Sequence, residues 1–286
     1  MRIAVCAKYD LLGAIALNAL LPRLADDEVQ LFYSTKTRSK ENAVPELDFM
    51  KLMERDIPQE LVFGLADFVA GTMPNPMGAD GRRPLATHTQ LAARTRRPPV
   101  FLQDVRISGE GRQIASFEPD LVISVRFSLI FKPDLIDRVP LGIVNIHPGP
   151  LPGYRGLFAP FWQILHGEEE LGCTLHVIDP GIDTGDVIGI ARLPHRPDRS
   201  LIWHAAQLYP AGIALLDPVL DAARQGQAAR GSRQDDSDSR YFRMPGSEEF
   251  AAFREAGHQM VNSRDYVELL GAFVPSVRDP ERKAAP

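Results

Sequence analysis

RIAVCAKYDLLGAIALNALLPRLADDEVQLFYS, residues 2–34, decides the fold class. Residues 2–7 are an apolar run of strand length. Leu12, Ile15, Ala16, Ala19 and Leu20 then recur at helical spacing until Pro22 stops the pattern, and 29–34 reads as a second strand. Strand, helix and strand in this order form a βαβ unit, which closes by a right-handed crossover.

The same alternation continues outward. Strands are predicted at 100–105, 121–125, 142–147, 174–179 and 187–193. Helices are predicted at 46–65 (interrupted by Pro58), 87–95, 109–117, 159–166 and 201–225, with a loop rich in proline and glycine at 71–83. Alternation of this kind predicts an α/β fold, a Rossmann-like and mostly parallel sheet with flanking helices. Residues 1–225 form the main domain in this reading. The polar, glycine-containing stretch 226–240 reads as a linker. Residues 241–286 read as a small C-terminal helical appendage, with helices at 247–256 and 263–273, a serine available to cap each, and a disordered tail. Its apolar residues suffice to pack on the main domain or on a second subunit, as in a homodimer.

Composition narrows the partners. The chain has 286 residues, enough for a full core, and a net charge of −5, which argues against binding nucleic acid chiefly through phosphates. The sequence lacks an apolar run of membrane-spanning length, and the N-terminus enters a strand at once, so the expectation is no membrane and a cytoplasmic location. Cys6 and Cys173 lie far apart in apolar runs and read as buried thiols. Asp179, Asp183 and Asp186 surround a tight turn that points them apart, so no metal is expected.

The chemistry concentrates between Asn145 and Asp186. Asn145 and His147 are two apart on a strand, share one face and sit at its carboxyl end, where open α/β sheets bind ligands. An amide and an imidazole there suit acyl transfer, donating to a developing oxyanion or moving a proton. Asp183, on a loop flanked by Gly181 and Gly185, could orient the imidazole or accept the proton from an attacking amine. Each residue also has a structural reading: His147 as a strand-end cap, Asn145 as a turn former, Asp183 as the centre of an Asx-turn. His176 is mid-strand, with packing or the cleft both open to it. Phe161 and Trp162 read as core, Trp203 and His204 as structural, and Phe158 as a loop residue available to the acceptor.

The block Asn145-Ile-His-Pro-Gly-Pro-Leu-Pro-Gly-Tyr-Arg-Gly156 resembles the signature of folate-dependent formyltransferases. His166-Gly-Glu168, Leu171–His176 and Gly181–Ile188 match further family motifs in order, so the resemblance is dense over residues 118–190 and loose over the N-terminal sheet. It implies Asn145, His147 and Asp183 as catalytic and 10-formyltetrahydrofolate as formyl donor. It implies that Arg126, Phe127, Ser128 and Leu129 contact the pterin, with Ile178, Asp179, Gly181 and Ile182 wrapping its other side. Relatives often carry an uncharged residue at Arg126, for which a surface role is the alternative. The acceptor implied is a small-molecule amine: a nucleotide-linked amino sugar, or an amino acid or siderophore-type amine, faced by Lys8, Tyr9, Asp10, Tyr154 and Arg155. Hydrolysis of the formylfolate is the competing activity, but the known hydrolases of this kind carry a further domain in front. After residue 230 there are 8 Lys/Arg against 10 Asp/Glu, an acidic balance unlike the basic tRNA-binding barrel of methionyl-tRNA formyltransferases. Residues 7–13 lack the glycine- and serine-rich phosphate loop expected for a ribonucleotide acceptor.

Overall fold

A computed structural model describes residues 1–36, 43–72, 77–78 and 81–275. The tail from 276 on, and residues 73–76 and 79–80 of the loop expected at 71–83, lie outside these residues, while 71–72 end a helix. Strands β1 (Arg2–Lys8), β2 (Glu28–Ser34), β3 (Val100–Leu102), β4 (Leu121–Val125), β5 (Ile143–His147), β7 (Glu170–Val177) and β8 (Val187–Pro194) form one sheet in the order β3-β2-β1-β4-β5-β7-β8. The first five are parallel; β7 and β8 are antiparallel additions. A second, two-residue pairing joins β6 (Arg155–Gly156) to β9 (Tyr241–Phe242).

The helices are α1 (Leu11–Leu20), α2 (Pro45–Lys51), α3 (Gly64–Thr72), α4 (His88–Ala93), α5 (Arg112–Phe117), α6 (Pro133–Ile136), α7 (Ala159–Leu165), α8 (Leu201–Ile213), α9 (Asp217–Arg224), α10 (Ser247–Glu255) and α11 (Ser263–Gly271). The period-two alternation of the strands divides the core between two faces. Ile3, Val5 and Ala7 of β1 join the larger cluster with α1 and α8, while Ala4 and Cys6 join the smaller cluster with α5. α8 lies close on β7, and a Cβ at Gly212 would meet the Cys173 sulfur at 2.5 Å.

Three expectations change. Pro58 does not interrupt its helix. Residues 45–72 continue through the wider π-turns Leu52–Asp56 and Pro58–Phe63, in which the Ile57 N–H reaches the Leu52 carbonyl, so the proline ring is accommodated. The helix expected over 201–225 divides at a 3₁₀ turn, Ala214–Leu216, ahead of Pro218. The C-terminal helices are capped not by serine but by Asn262, which accepts from the Asp265 N–H, and by Glu249, which accepts from the Gly246 N–H.

The C-terminal segment is built into the core. Phe253 stacks on Phe161 at 4.6 Å, Phe273 meets Phe63 at 5.0 Å, and buried Asp265 accepts hydrogen bonds from the Ser200 N–H and hydroxyl. Nor does 226–240 hang free. Ser232 exchanges two backbone hydrogen bonds of 2.8 Å with Val187 at the start of β8.

Candidate active site

At the carboxyl edge of the sheet, β5 sends Val144 and Ile146 into the larger core cluster and Ile143 into the smaller one. Alternation then puts Asn145 and His147 together on the second face. The antiparallel register sets Asn145 opposite His176 of β7. The Asn145 amide nitrogen lies 3.1 Å from His176 Nε2, and Asp183 reaches both imidazoles, with Oδ2 at 3.7 Å from His147 Nδ1 and Oδ1 at 3.7 Å from His176 Nε2. The structure thus gathers all three predicted catalytic side chains and adds His176.

Carbonyl oxygens only accept, so they assign the ring protons. His147 Nε2 donates to the Tyr154 carbonyl at 2.7 Å, which makes Nδ1 the nitrogen turned to Asp183. His176 Nδ1 donates to the Val177 carbonyl at 2.8 Å, so neutral Nε2 accepts from the Asn145 amide. That contact sets the amide's rotation and leaves its second N–H for a ligand. Burial pushes the His176 pKa from 6.5 down to about 4, which keeps this acceptor neutral.

The loops are held by backbone contacts. The Thr174 hydroxyl donates to the Gly149 carbonyl and accepts from the Leu151 N–H, while Gln163 bridges the Pro148 carbonyl and the Gly172 N–H. A Cβ at Gly149 would lie 2.8 Å from His147 Nε2, so only glycine allows this turn to fold under the ring. Asp183 has φ 55°, a left-handed conformation that costs a non-glycine residue roughly 1–2 kcal/mol. Its Oδ2 accepts from the Gly156 N–H at 2.8 Å. The Asx-turn in this loop is made by Asp179, which accepts from the Gly181 N–H and the Thr184 hydroxyl, and not by Asp183.

A cavity of about 430 Å³ opens beside the cluster. Asn145, His147, His176 and Asp183 line it, as do Phe127, Ser128, Leu129, Ile178, Asp179, Gly181 and Ile182. Phe158 and Lys8 also reach the wall. The other four residues expected to face the acceptor do not. Tyr9 stacks on His88 at 4.2 Å within an aromatic group. Asp10 is fully buried, caps α1 through the Gly13 N–H and accepts from Arg126. Tyr154 is buried and donates its hydroxyl hydrogen to Glu168. Arg155 turns away from the cavity to buried Gln234 and to Asp236.

Arg126 is no surface residue. It lies between Asp10, Glu54 and the Tyr209 hydroxyl, on the cavity wall but already engaged. Burial pushes the Asp10 carboxyl up, but the Arg126 and Lys8 cations outweigh it and hold the pKa below its ordinary value. For Glu54 burial wins, and its pKa is raised. Glu54 comes from the π-helical turn, which no local sequence signal marks. Among the described residues no group of three His, Cys, Asp or Glu is disposed to hold a metal, and no helix is long and apolar enough to cross a membrane.

His88 and His204 share the fate of His176. Burial lowers each to about 4, and the Arg196 N–H pointing at His204 Nε2 requires the neutral ring. A histidine that stays neutral in the fold but protonates at 6.5 when unfolded favours the fold fully above pH 6.5 and loses that contribution as pH falls to 4. Each group contributes at most on the order of 3 kcal/mol. The urea midpoint at pH 4.5 is therefore expected well below that at pH 7; equal midpoints would contradict the neutral assignments.

Residues 69–201 match the family described as formyl transferase. The methionyl-tRNA formyltransferase of Synechococcus sp. (strain JA-3-3Ab) is 30% identical over 213 residues, covering 73% of this chain and 63% of the relative, so the chain spans less than two thirds of that protein. Two solved structures share the fold. Glycinamide ribonucleotide transformylase 1 from Symbiobacterium toebii superimposes with a TM-score of 0.55 at 15% identity, over 82% of this chain and 92% of that one. An N-formyltransferase from Helicobacter canadensis, solved with folinic acid and dTDP-3-aminofucose, gives 0.50 at 16% identity, over 96% and 84%.

Proposed function

We propose that the chain, whose residues 69–201 match the formyl transferase family, is a folate-dependent formyltransferase that transfers a formyl group from 10-formyltetrahydrofolate to the primary amine of a small substrate. The observation that carries this reading is the meeting of Asn145, His147 and Asp183 on one cavity wall.

The cavity suits the donor. Its volume falls within the range of small-ligand sites, and Phe127, Leu129, Ile178 and Ile182 offer apolar surface to a flat ring system. Backbone capture by 178–182 is partly foreclosed, since the Ile178 and Gly181 N–H groups already donate to Ile143 and Asp179. The donor supplies an activated formyl group; everything else falls to the chain. Asn145 directs its free N–H at the oxygen that gains charge as the amine attacks. His147, locked through Nε2, works through Nδ1: neutral, it accepts the amine proton; charged, with Asp183 stabilising the imidazolium, it donates to the oxyanion and then gives the proton up to N10 as the carbon–N10 bond breaks and tetrahydrofolate leaves. Holding both reactants in one cleft supplies much of the rate.

A nucleotide-linked amino sugar is the first acceptor to test, because the H. canadensis neighbour was solved with one. Purified protein is incubated with 10-formyltetrahydrofolate alone and with a panel of amines that includes dTDP-amino sugars and amino acids. Tetrahydrofolate is expected only when an amine is present, together with a formylated product. Equal release without amine would identify a hydrolase and overturn the transfer reading.

A further inference from the structure

We propose that Gln234 is a positioning residue for Asp183, an inference that rests on the formyl-transfer reading. Gln234 lies in the stretch that reads as a linker, yet its side chain is buried. Its amide nitrogen donates to two carbonyls of the aspartate loop, those of Asp183 at 2.9 Å and Gly185 at 2.7 Å. Its amide oxygen accepts from Arg155 Nη2 at 2.7 Å and Nε at 3.1 Å. Arg155 directly precedes Gly156, whose N–H holds the Asp183 carboxylate. One side chain therefore ties together the two backbone segments that set this carboxylate: the loop that carries it and the strand that anchors it.

The Asp183 conformation needs such a tie. A left-handed residue relaxes toward ordinary backbone angles unless its peptide groups are held. Gln234 can hold this one because its own segment is fixed. Ser232 pairs with Val187, and Gly231 passes so close that a Cβ there would meet the Val187 carbonyl oxygen at 2.5 Å. Downstream, the Arg155 N–H donates to the Arg240 carbonyl and the Leu157 N–H to that of Phe242. The segment 231–242 thus straps both active-site loops, and Gln234 is where the strap touches the catalytic aspartate.

Gln234→Leu removes the donors and the acceptor at similar volume. Gln234→Glu, nearly isosteric, keeps the pairing with Arg155 but sets a carboxylate against two carbonyls; it serves if the leucine variant does not fold. Hydrogen exchange is followed in the peptide spanning 178–186 of the full chain. Exchange there is expected to accelerate about tenfold or more while the central strands stay protected; unchanged exchange in the aspartate loop overturns the clamp. Turnover is expected to fall roughly 10- to 100-fold with KM for the folate within about twofold. In an Asp183→Asn background the same substitution should add less than about twofold, because a residue acting through the carboxylate has nothing left to act on. A full additive loss would show a role in stability alone and overturn the proposal. If the unaltered protein releases no tetrahydrofolate with any amine while the loop still loosens in the variants, the transfer reading fails and the clamp stands.

Discussion

Asp183→Asn lowers kcat by on the order of 10³- to 10⁴-fold while the protein stays folded and binds folate normally. This result is expected because asparagine preserves the shape and an oxygen to accept the Gly156 N–H, so the loop need not move. What disappears is the negative charge facing His147 Nδ1 and His176 Nε2 at 3.7 Å each. Without it the His147 imidazolium formed on taking the amine proton is unsupported in a buried site, and with the asparagine oxygen held on the Gly156 N–H the amide nitrogen falls opposite His176 Nε2. Single-turnover release of tetrahydrofolate at saturating amine measures the step directly. A loss below tenfold would remove Asp183 from the proton pathway and leave it a structural loop residue.

Asn145→Ala is expected to reduce kcat by on the order of 10²- to 10³-fold, the range for losing one donor aimed at a developing oxyanion. KM for the folate should hardly change, since the apolar wall that would receive the pterin is untouched and the lost contact strengthens only as charge appears. The geometry gives this variant a partner. His176→Phe leaves the Asn145 N–H in place but frees its rotation, so its loss should be smaller than that of Asn145→Ala, and the double variant should be little worse than Asn145→Ala alone. Raised KM with unchanged kcat in Asn145→Ala would mean that the amide binds the ground state and does not serve the transition state.

Much of this site was legible because strand geometry is local. A period of two places Asn145 and His147 on one face whatever surrounds them, and the apolar run before them allows only a buried strand ending at a crevice. Asp183 was legible through the resemblance of its glycine-flanked loop; no local rule brings it back to β5. The sequence leaves His176 open between core and cleft, because its neighbour depends on the antiparallel register of β5 and β7, which sets it opposite Asn145, 31 residues earlier. Tyr9, Asp10, Tyr154 and Arg155 were misplaced for a related reason. Each stands beside the crevice in sequence, but its side chain has a closer partner: His88, Arg126, Glu168 and Gln234 respectively.

The βαβ frame, the edge of the sheet that bears the chemistry and the amide–imidazole pair on it can all be read along the chain. These follow from backbone periodicity and short-range turn preferences, which each segment carries alone. Which polar groups are free to act follows from long-range packing alone. Whether a carboxylate such as Asp10 is engaged or available, or a glutamine in an apparent linker reaches the catalytic loop, depends on contacts between segments distant along the chain, and those exist only once the core has closed.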